Sequence, residues 1–474
     1  MNSEIAFLSA TEQRRLMGRR ELSPVEVVRA CLDQVEQHNR TVNAVVTLNP
    51  TALEQARQLE DRTSPGDEGL LYGLPVGIKD VTPTAGLRTT YGSPLYSDHI
   101  PAQDALVVQR LKRAGAILLG KTNVPEFAAG GNTFNEIFGP TRNPWDPQRT
   151  AGGSTGGGAA ALATGMIALA EGTDLGGSLR MPASFCGVVG LRPSPGLVPT
   201  VPSEYLWDTL QVSGGLARTV EDVALFLQAT AGPSPLCPLS QSIGGRDFVA
   251  AAQAGIPKGL RLAYCPDIAR IGIDPEVESV CRQAAFEMAQ AGVSVQESDL
   301  DLSFARSAFL ALRGYWMVAH HRQRIGLLDQ LGSNLTGNIR AGLGLDSQQL
   351  GQAEQDRSRL WQVMAGFFEK FDHLLTPCMA VPPFPVEQNY PEAIAGKPMK
   401  TYVDWFAPTF LLSLTALPVA SVPCGLDSQG LPVGLQIVGP PMGEEKVLAL
   451  AHQVQEAAPV RWKATQAQRH RESR

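Results

Sequence analysis

The sequence predicts an α/β fold in which a large, mixed, twisted β-sheet is covered on both faces by α-helices. Short apolar runs with strand character alternate with helical stretches along nearly the whole chain. With 43% hydrophobic and 18% charged residues in 474, there is ample material for a large core. The stretch 156–170 is dominated by Gly, Ala and Thr, the composition of a helix packed inside a fold rather than on its surface.

The elements follow in order. Ser23-Pro24-Val25-Glu26 supplies a cap residue, a proline at the first helical position and a glutamate three after the cap, which starts a helix running to about His38. Val45-Val46-Thr47-Leu48 reads as a strand and 51–62 as a helix, followed by a turn at Ser64-Pro65-Gly66-Asp67. The run 71–79 is strand-like and delivers Lys79 to its end; 104–114 is a helix and 116–119 a buried strand. A long loop rich in Asn, Pro and Gly spans 133–149. Short strands or turns follow at 188–191 and 215–218. Beyond 232–256, where Pro and Gly cluster as at a subdomain joint, come a strand at 260–264, a helix at 275–291 and a strand at 293–297. A helical stretch over 304–371 precedes strands at 373–376, 419–423 and 433–438, and 444–457 is the last helix. Residues 1–70 thus form an N-terminal helical segment packed on the core, 71–462 the main domain, and 463–474 a basic tail that frays.

A formal net charge of −6 offers no footprint for nucleic acid or an anionic membrane. The seven cysteines are scattered, odd in number and without a C-x-x-C pair, as expected of buried thiols in a reducing, cytoplasmic setting. No basic segment followed by an apolar run opens the chain, and no stretch reaches membrane-span length.

Two glycine-rich loops carry the chemistry: Gly152-Gly153-Ser154-Thr155-Gly156-Gly157-Gly158 and Gly172-Thr173-Asp174-Leu175-Gly176-Gly177-Ser178-Leu179-Arg180. Each serine is flanked by residues without side chains, so a substrate carbonyl can approach the backbone closely. Gly152-Gly153-Ser154-Thr155-Gly156 also fits the nucleophile elbow G-x-S-x-G, yet Asn143-Pro144-Trp145-Asp146-Pro147 stands where the elbow needs a strand. None of the seven histidines sits in a glycine-rich setting, which leaves lysine as the base. Lys79 ends an apolar strand, where burial would lower its pKa by desolvating the charged form. Its plainer role is a buried ion pair with Asp80 or Asp174, and the residues alone leave both open. Gly115-Ala116-Ile117-Leu118-Leu119-Gly120-Lys121-Thr122 matches a phosphate-binding loop by letter, but its middle residues read as a strand and Pro125 interrupts the helix that should follow.

The stretch 73–199 closely resembles the amidase signature family, with its Gly-x-Lys-Asp segment at 77–80, its Gly-Gly-Ser loop at 152–157 and its Gly-Thr-Asp-x-Gly-Gly-Ser-x-Arg segment at 172–180. Gly120-Lys121-Thr122-Asn123, Arg142-Asn143-Pro144-Trp145-Asp146, Cys186-Gly187-Val188-Val189-Gly190-Leu191-Arg192-Pro193 and Gly430-Leu431-Pro432-Val433-Gly434-Leu435-Gln436-Ile437 are similar too. The resemblance implies an amidase signature fold and a Ser-cisSer-Lys triad in which Ser178 is the nucleophile and Ser154, after a cis peptide bond, relays its proton to Lys79. It implies an oxyanion hole from the backbone N–H groups of Leu175, Gly176, Gly177 and Ser178, with Ala128 beside it. Asp174 and Arg180 would brace the loop. It further implies hydrolysis of a carboxylic amide through an acyl-enzyme, with the amide and water as small-molecule partners, no metal or organic cofactor, and room for a homodimer. The same triad would serve the amidase-like subunit of a tRNA-dependent amidotransferase, or remain on an inert binding protein.

This chain departs from the family pattern at Thr155 for serine, whose hydroxyl should keep its bond to the triad, at Leu175 for threonine, at Gly158 for serine and at Arg192 for lysine. In similar enzymes the acyl pocket is shaped around 128–138 and 304–402. Here these and the residues just beyond supply Phe134, Phe138, Tyr315, Trp316, Trp405 and Phe406, either as an aromatic pocket for aryl, lactam, oligomeric amides or carbamates, or as core.

Overall fold

Eleven strands share one sheet in the computed structural model, which describes residues 2–62 and 68–461. In chain order they are β1 Val45–Leu48, β2 Pro75–Lys79, β3 Ile117–Thr122, β4 Leu169–Asp174, β5 Val189–Arg192, β6 Val212–Ala217, β7 Arg261–Tyr264, β8 Ser294–Glu297 and β9 His373–Pro377. The short strands β10 Ala393–Ile394 and β11 Lys397–Pro398 pair only with each other, and β12 Val419–Leu426 and β13 Pro432–Val438 complete the sheet. The spatial order is β1-β3-β2-β4-β6-β5-β12-β13-β9-β7-β8. β2 pairs in parallel with β3 and β4, and β7 with β8 and β9, while the remaining pairs are antiparallel. The central strands β2, β4 and β6 are buried along their whole length, the pattern of a sheet covered on both faces.

Local chemistry explains the elements. Ser23 Oγ accepts the Glu26 N–H at 3.1 Å while Glu26 Oε2 accepts the Ser23 N–H at 2.8 Å, a reciprocal cap that starts the helix Pro24–Val42. The N-terminal segment also lends β1 to the sheet, antiparallel to β3. The helix read over 156–170 stops at Ala163: Gly165 takes a positive φ of 71°, and β4 begins at Leu169. Only Leu169 and Ala170, small and apolar like the helix before them, fall in the stretch read as helix; the rest of β4 belongs to the segment read as a glycine-rich loop. The strand expected at 116–119 runs on to Thr122, so Gly120-Lys121-Thr122 is sheet and not a phosphate loop. The fully buried helix Gly156–Ala163 lies so close to the sheet that a Cβ on Gly157 would stand 2.2 Å from the Asn123 nitrogen.

Past β6, Phe248 and Ala252 of the helix Phe248–Gln253, within 232–256, join the buried cluster that also holds Phe226, Leu262 and Tyr264. A second cluster gathers the helices Arg306–His321, Ser333–Leu343 and Ser347–Lys370 against Phe406 and Phe410. The turn at Ser64-Pro65-Gly66-Asp67 and the tail 463–474 lie outside the described residues. All seven cysteines are buried and none is in a disulfide, and no described helix is long and apolar enough to cross a membrane.

Candidate active site

Lys79 is the last residue of β2 and is fully buried. Its Nζ donates to Ser154 Oγ at 2.7 Å, to Thr173 Oγ1 at 3.0 Å and to the Thr173 carbonyl at 3.4 Å. Neither Asp80 nor Asp174 is bonded to it: Asp80 accepts from the Thr90 N–H and hydroxyl, and Asp174 is taken by two arginines. Burial pushes the Lys79 amine down to about 7, against the opposing pull of Glu171 and Asp174.

Ser154 reaches that position from a tightly held loop. The peptide bond Gly153–Ser154 is cis, and Gly152 has a φ of 75°. The Thr133 hydroxyl donates to the Gly152 carbonyl at 2.8 Å and accepts the Gly156 N–H at 3.2 Å, pinning both sides of the serine. The Thr155 N–H donates to the Ser178 carbonyl at 3.3 Å, which ties the two glycine-rich loops together. The hydroxyl of Thr155 does not bond to the triad, as its sequence position suggested. It is buried without a partner among the described residues, packed where a Cβ on Gly172 would stand 2.8 Å away.

Ser178 sits between β4 and the helix Arg180–Cys186, half-buried, and lines the same cavity as Ser154 and Thr173. The backbone around it is sorted by Asp174. Its carboxylate accepts the N–H groups of Gly177 at 2.7 Å and Leu179 at 3.2 Å. The Gly177 N–H, expected among the oxyanion donors, is engaged by this carboxylate. Those of Leu175, Gly176 and Ser178 donate to no group among the described residues. Gly177 has a φ of 126°, and a Cβ there would fall 2.3 Å from Thr409 Oγ1, so no other residue fits.

Arg180 and Arg192 close the arrangement from beneath. Arg180 spans both Asp174 oxygens at 3.0 Å each and also donates to Ser413 Oγ, Gln436 Oε1 and the Thr409 carbonyl. Burial alone would raise the Asp174 carboxyl, but the two guanidinium groups hold it well below the usual carboxylate range.

Several contributors were not singled out in the sequence. Glu171 and Thr173 alternate along β4 toward the end of β2, a short period-two signal between the stretch read as helix, 156–170, and the segment read as a glycine-rich loop, 172–180. Glu171 Oε2 accepts the Lys79 backbone N–H at 3.2 Å, and Oε1 the Thr82 hydroxyl at 3.1 Å. Lys121 donates to the Thr82 carbonyl and to Thr84 Oγ1, and burial lowers its amine to about 8. Thr409 donates to the Gly176 carbonyl at 2.6 Å.

The aromatic expectations divide. Ala128, with φ 62°, lines the cavity together with Trp316 and Phe406. Trp405 is core, stacked on Phe185 with ring centroids 6.2 Å apart. Phe134 borders a separate cleft, Phe138 lies 5.3 Å from the Arg88 guanidinium, and Tyr315 is exposed beside Tyr205.

The family model described as Amidase matches residues 26–448. The chain is 35% identical over 481 residues to a glutamyl-tRNA(Gln) amidotransferase subunit of Moorella thermoacetica, with 95% of this chain and 96% of that protein covered. It is 34% identical over 440 residues to an acylamidase of Rhodococcus erythropolis, covering 91% of each. Among solved structures, a bacterial aryl acylamidase of the amidase signature enzymes superposes with a TM-score of 0.88 at 30% identity, over 96% of this chain and 97% of that one. At 35% and 34%, identity does not separate the activities of the two sequence relatives.

Proposed function

The chain belongs to the amidase family, and from that premise we propose that it is an amidohydrolase cleaving a carboxylic amide through an acyl-enzyme on Ser178, with Ser154 as proton relay and Lys79 as base. One observation carries the reading: a buried lysine without a carboxylate partner donates to a buried serine in the wall it shares with Ser178.

A neutral amine has two N–H groups and one lone pair. The Thr173 carbonyl can only accept, and Thr173 Oγ1 takes the second N–H, so the lone pair is left for Ser154. In that state the 2.7 Å contact reverses and the Ser154 hydroxyl donates to Nζ. Ser178 Oγ attacks the amide carbon as its proton passes to Ser154 and the Ser154 proton passes to Lys79. The carbonyl oxygen, now negative, is met by the N–H groups of Gly176 and Ser178, each such donor worth about 3 kcal/mol in the transition state. The relay then runs backward, Lys79 returning a proton through Ser154 to the departing amine. Water adds to the acyl-enzyme by the same route and releases the acid. The substrate is a small amide, aryl, lactam, oligomeric or carbamate-like, and the seven cysteines, none in a disulfide, fit work in the cytoplasm.

A panel of aryl amides, fatty amides, lactams, peptide amides and urethanes, assayed on the purified chain, tests the reading. Turnover of none of them, with no labelling of Ser178 by a fluorophosphonate, would count against it. The second reading, one component of an amidotransferase complex, is favoured by the match to the Moorella protein over 95% of the chain. Purification as a stable, active single chain separates the two.

A further inference from the structure

Arg313 lies in the wall of the cavity that holds Ser154 and Ser178 but takes no part in the proton relay. It comes from the helix Arg306–His321 and is only 5% exposed. Its Nη2 donates to the Tyr402 hydroxyl at 2.8 Å, and that oxygen also receives Asn338 Nδ2. Nη1 is buried and finds no hydrogen-bond partner among the described residues. No acidic side chain among them pairs with Arg313 either. Asp404, across the same helix, pairs with Arg306, and Asp208 Oδ2 accepts the Trp316 Nε1–H at 2.6 Å.

A guanidinium withdrawn from water is costly unless an anion and full hydrogen bonding compensate it, and here the neutral Tyr402 supplies one hydrogen bond and the face of its ring, 5.5 Å from the guanidinium, but no negative charge. The unmet N–H groups and the unmet charge call for the same missing partner, a planar anion that accepts two parallel bonds. Much of the wall around Arg313 is apolar: Leu175, Met181, Trp316, Met317 and Phe406. We infer that Arg313 is a specificity-determining residue that binds a carboxylate on the substrate, so that the preferred amides carry a carboxylate separated from the scissile carbonyl by an apolar spacer. A neutral carbonyl would satisfy one N–H and leave the charge uncompensated. This inference rests on the proposal that Ser178 cleaves amides in this cavity.

Two anilides that release 4-nitroaniline provide the test: neutral 4-nitroacetanilide, and N-(4-nitrophenyl)glutaramic acid, which adds a carboxylate on a short methylene spacer. The wild-type kcat/KM should favour the acid by about tenfold or more, and Arg313→Gln should bring that ratio to near one, because a site built for a polar group discriminates through the bonds it makes to that group. Arg313→Lys, which keeps the charge but not the planar fork, should keep part of the preference. No preference in the wild type, or a preference that survives in Arg313→Gln, overturns the inference. Calorimetric binding of free glutarate gives a readout independent of turnover. The wild type should bind it and Arg313→Gln should bind it about tenfold more weakly or not at all; an unbound wild type, or equal binding, overturns the inference. Should Arg313→Gln fail to fold in a thermal melt, the wild-type and Arg313→Lys measurements decide alone. Cleavage of 4-nitroacetanilide without preference for the acid removes only the role of Arg313. Loss of both turnover and fluorophosphonate labelling removes the amidase reading itself.

Discussion

Glu171 holds Lys79 by its main chain and leaves the amine to Ser154: the carboxylate accepts the Lys79 N–H at 3.2 Å, while Nζ lies 2.7 Å from the serine hydroxyl. The negative charge is thus near enough to moderate the desolvation of the amine, yet does not lock it into an ion pair. Lys121, Asp80 and Asp174 are the other charges that face this pair.

The first prediction concerns pH. A base accepts a proton only when unprotonated, and burial sets Lys79 to about 7, so kcat/KM should climb about tenfold per pH unit below neutrality and level off above it. Glu171→Gln keeps an acceptor for the Lys79 N–H and removes the charge that favours the ammonium form. The acid limb should then move about one pH unit lower. A pH–rate profile on one anilide measures both, and a shift to higher pH would show that Glu171 acts otherwise.

Removing members of the relay should separate amides from esters. Ser178→Ala should abolish fluorophosphonate labelling and lower amide turnover by on the order of 10⁴-fold or more. Lys79→Ala should lose amide hydrolysis yet retain measurable ester cleavage, because an alkoxide or phenolate leaves without the proton an amine requires. Equal losses on matched amide and ester substrates would show that Lys79 does not protonate the leaving group.

Asp174→Asn tests the brace. It leaves Arg180 and Arg192 buried without their shared counter-charge and weakens the hold on the Gly177 and Leu179 N–H groups. Breaking a buried pair in this way costs about 3–5 kcal/mol, to be read as a lower urea midpoint. The sign of the acid dependence follows from the depressed Asp174 carboxyl. Its contribution is present above the unfolded carboxylate range and is lost as the pH falls through the lower folded value. The variant should accordingly lose less stability than the wild type on acidification.

Gly177→Ala should be nearly inactive whatever its stability. The added methyl meets Thr409 Oγ1 at 2.3 Å on a backbone with φ 126°, and relief of that clash displaces the neighbouring Gly176 and Ser178 donors. Activity within tenfold of wild type would mean that this loop tolerates movement.

Much of the site was legible because it is local. Lys79 at a strand end, the two serines and the glycines before Ser178 announce themselves by residue type and short spacing. Glu171 and Thr173 are not legible as partners of Lys79, since they fall between a stretch that reads as helix and a glycine-rich loop, and only the pairing of β4 beside β2 brings them to it. Thr409, Ser413 and Arg313 approach from distant parts of the chain, and nothing in their local sequence marks them. That the Gly177 N–H is engaged by Asp174 is not legible either, since glycine identity reports backbone freedom and not the direction in which the N–H points. Trp405 and Phe406 are adjacent in sequence, yet one is core and the other lines the cavity, a division that only tertiary packing decides.

Ser154, Thr173, Leu175, Gly176 and Ser178 line the cavity from one stretch of the chain, with Lys79 bonded behind Ser154, while Arg313, Trp316 and Met317 enter from the single helix Arg306–His321. The two groups face each other across the cavity and also touch where Phe127 meets His321, with ring centroids 5.1 Å apart, so the proposed chemistry and the proposed recognition come from different parts of the chain. Replacing side chains on one face of that helix should redirect the enzyme to other amides while the proton relay, held by a different set of contacts, continues to work unaltered.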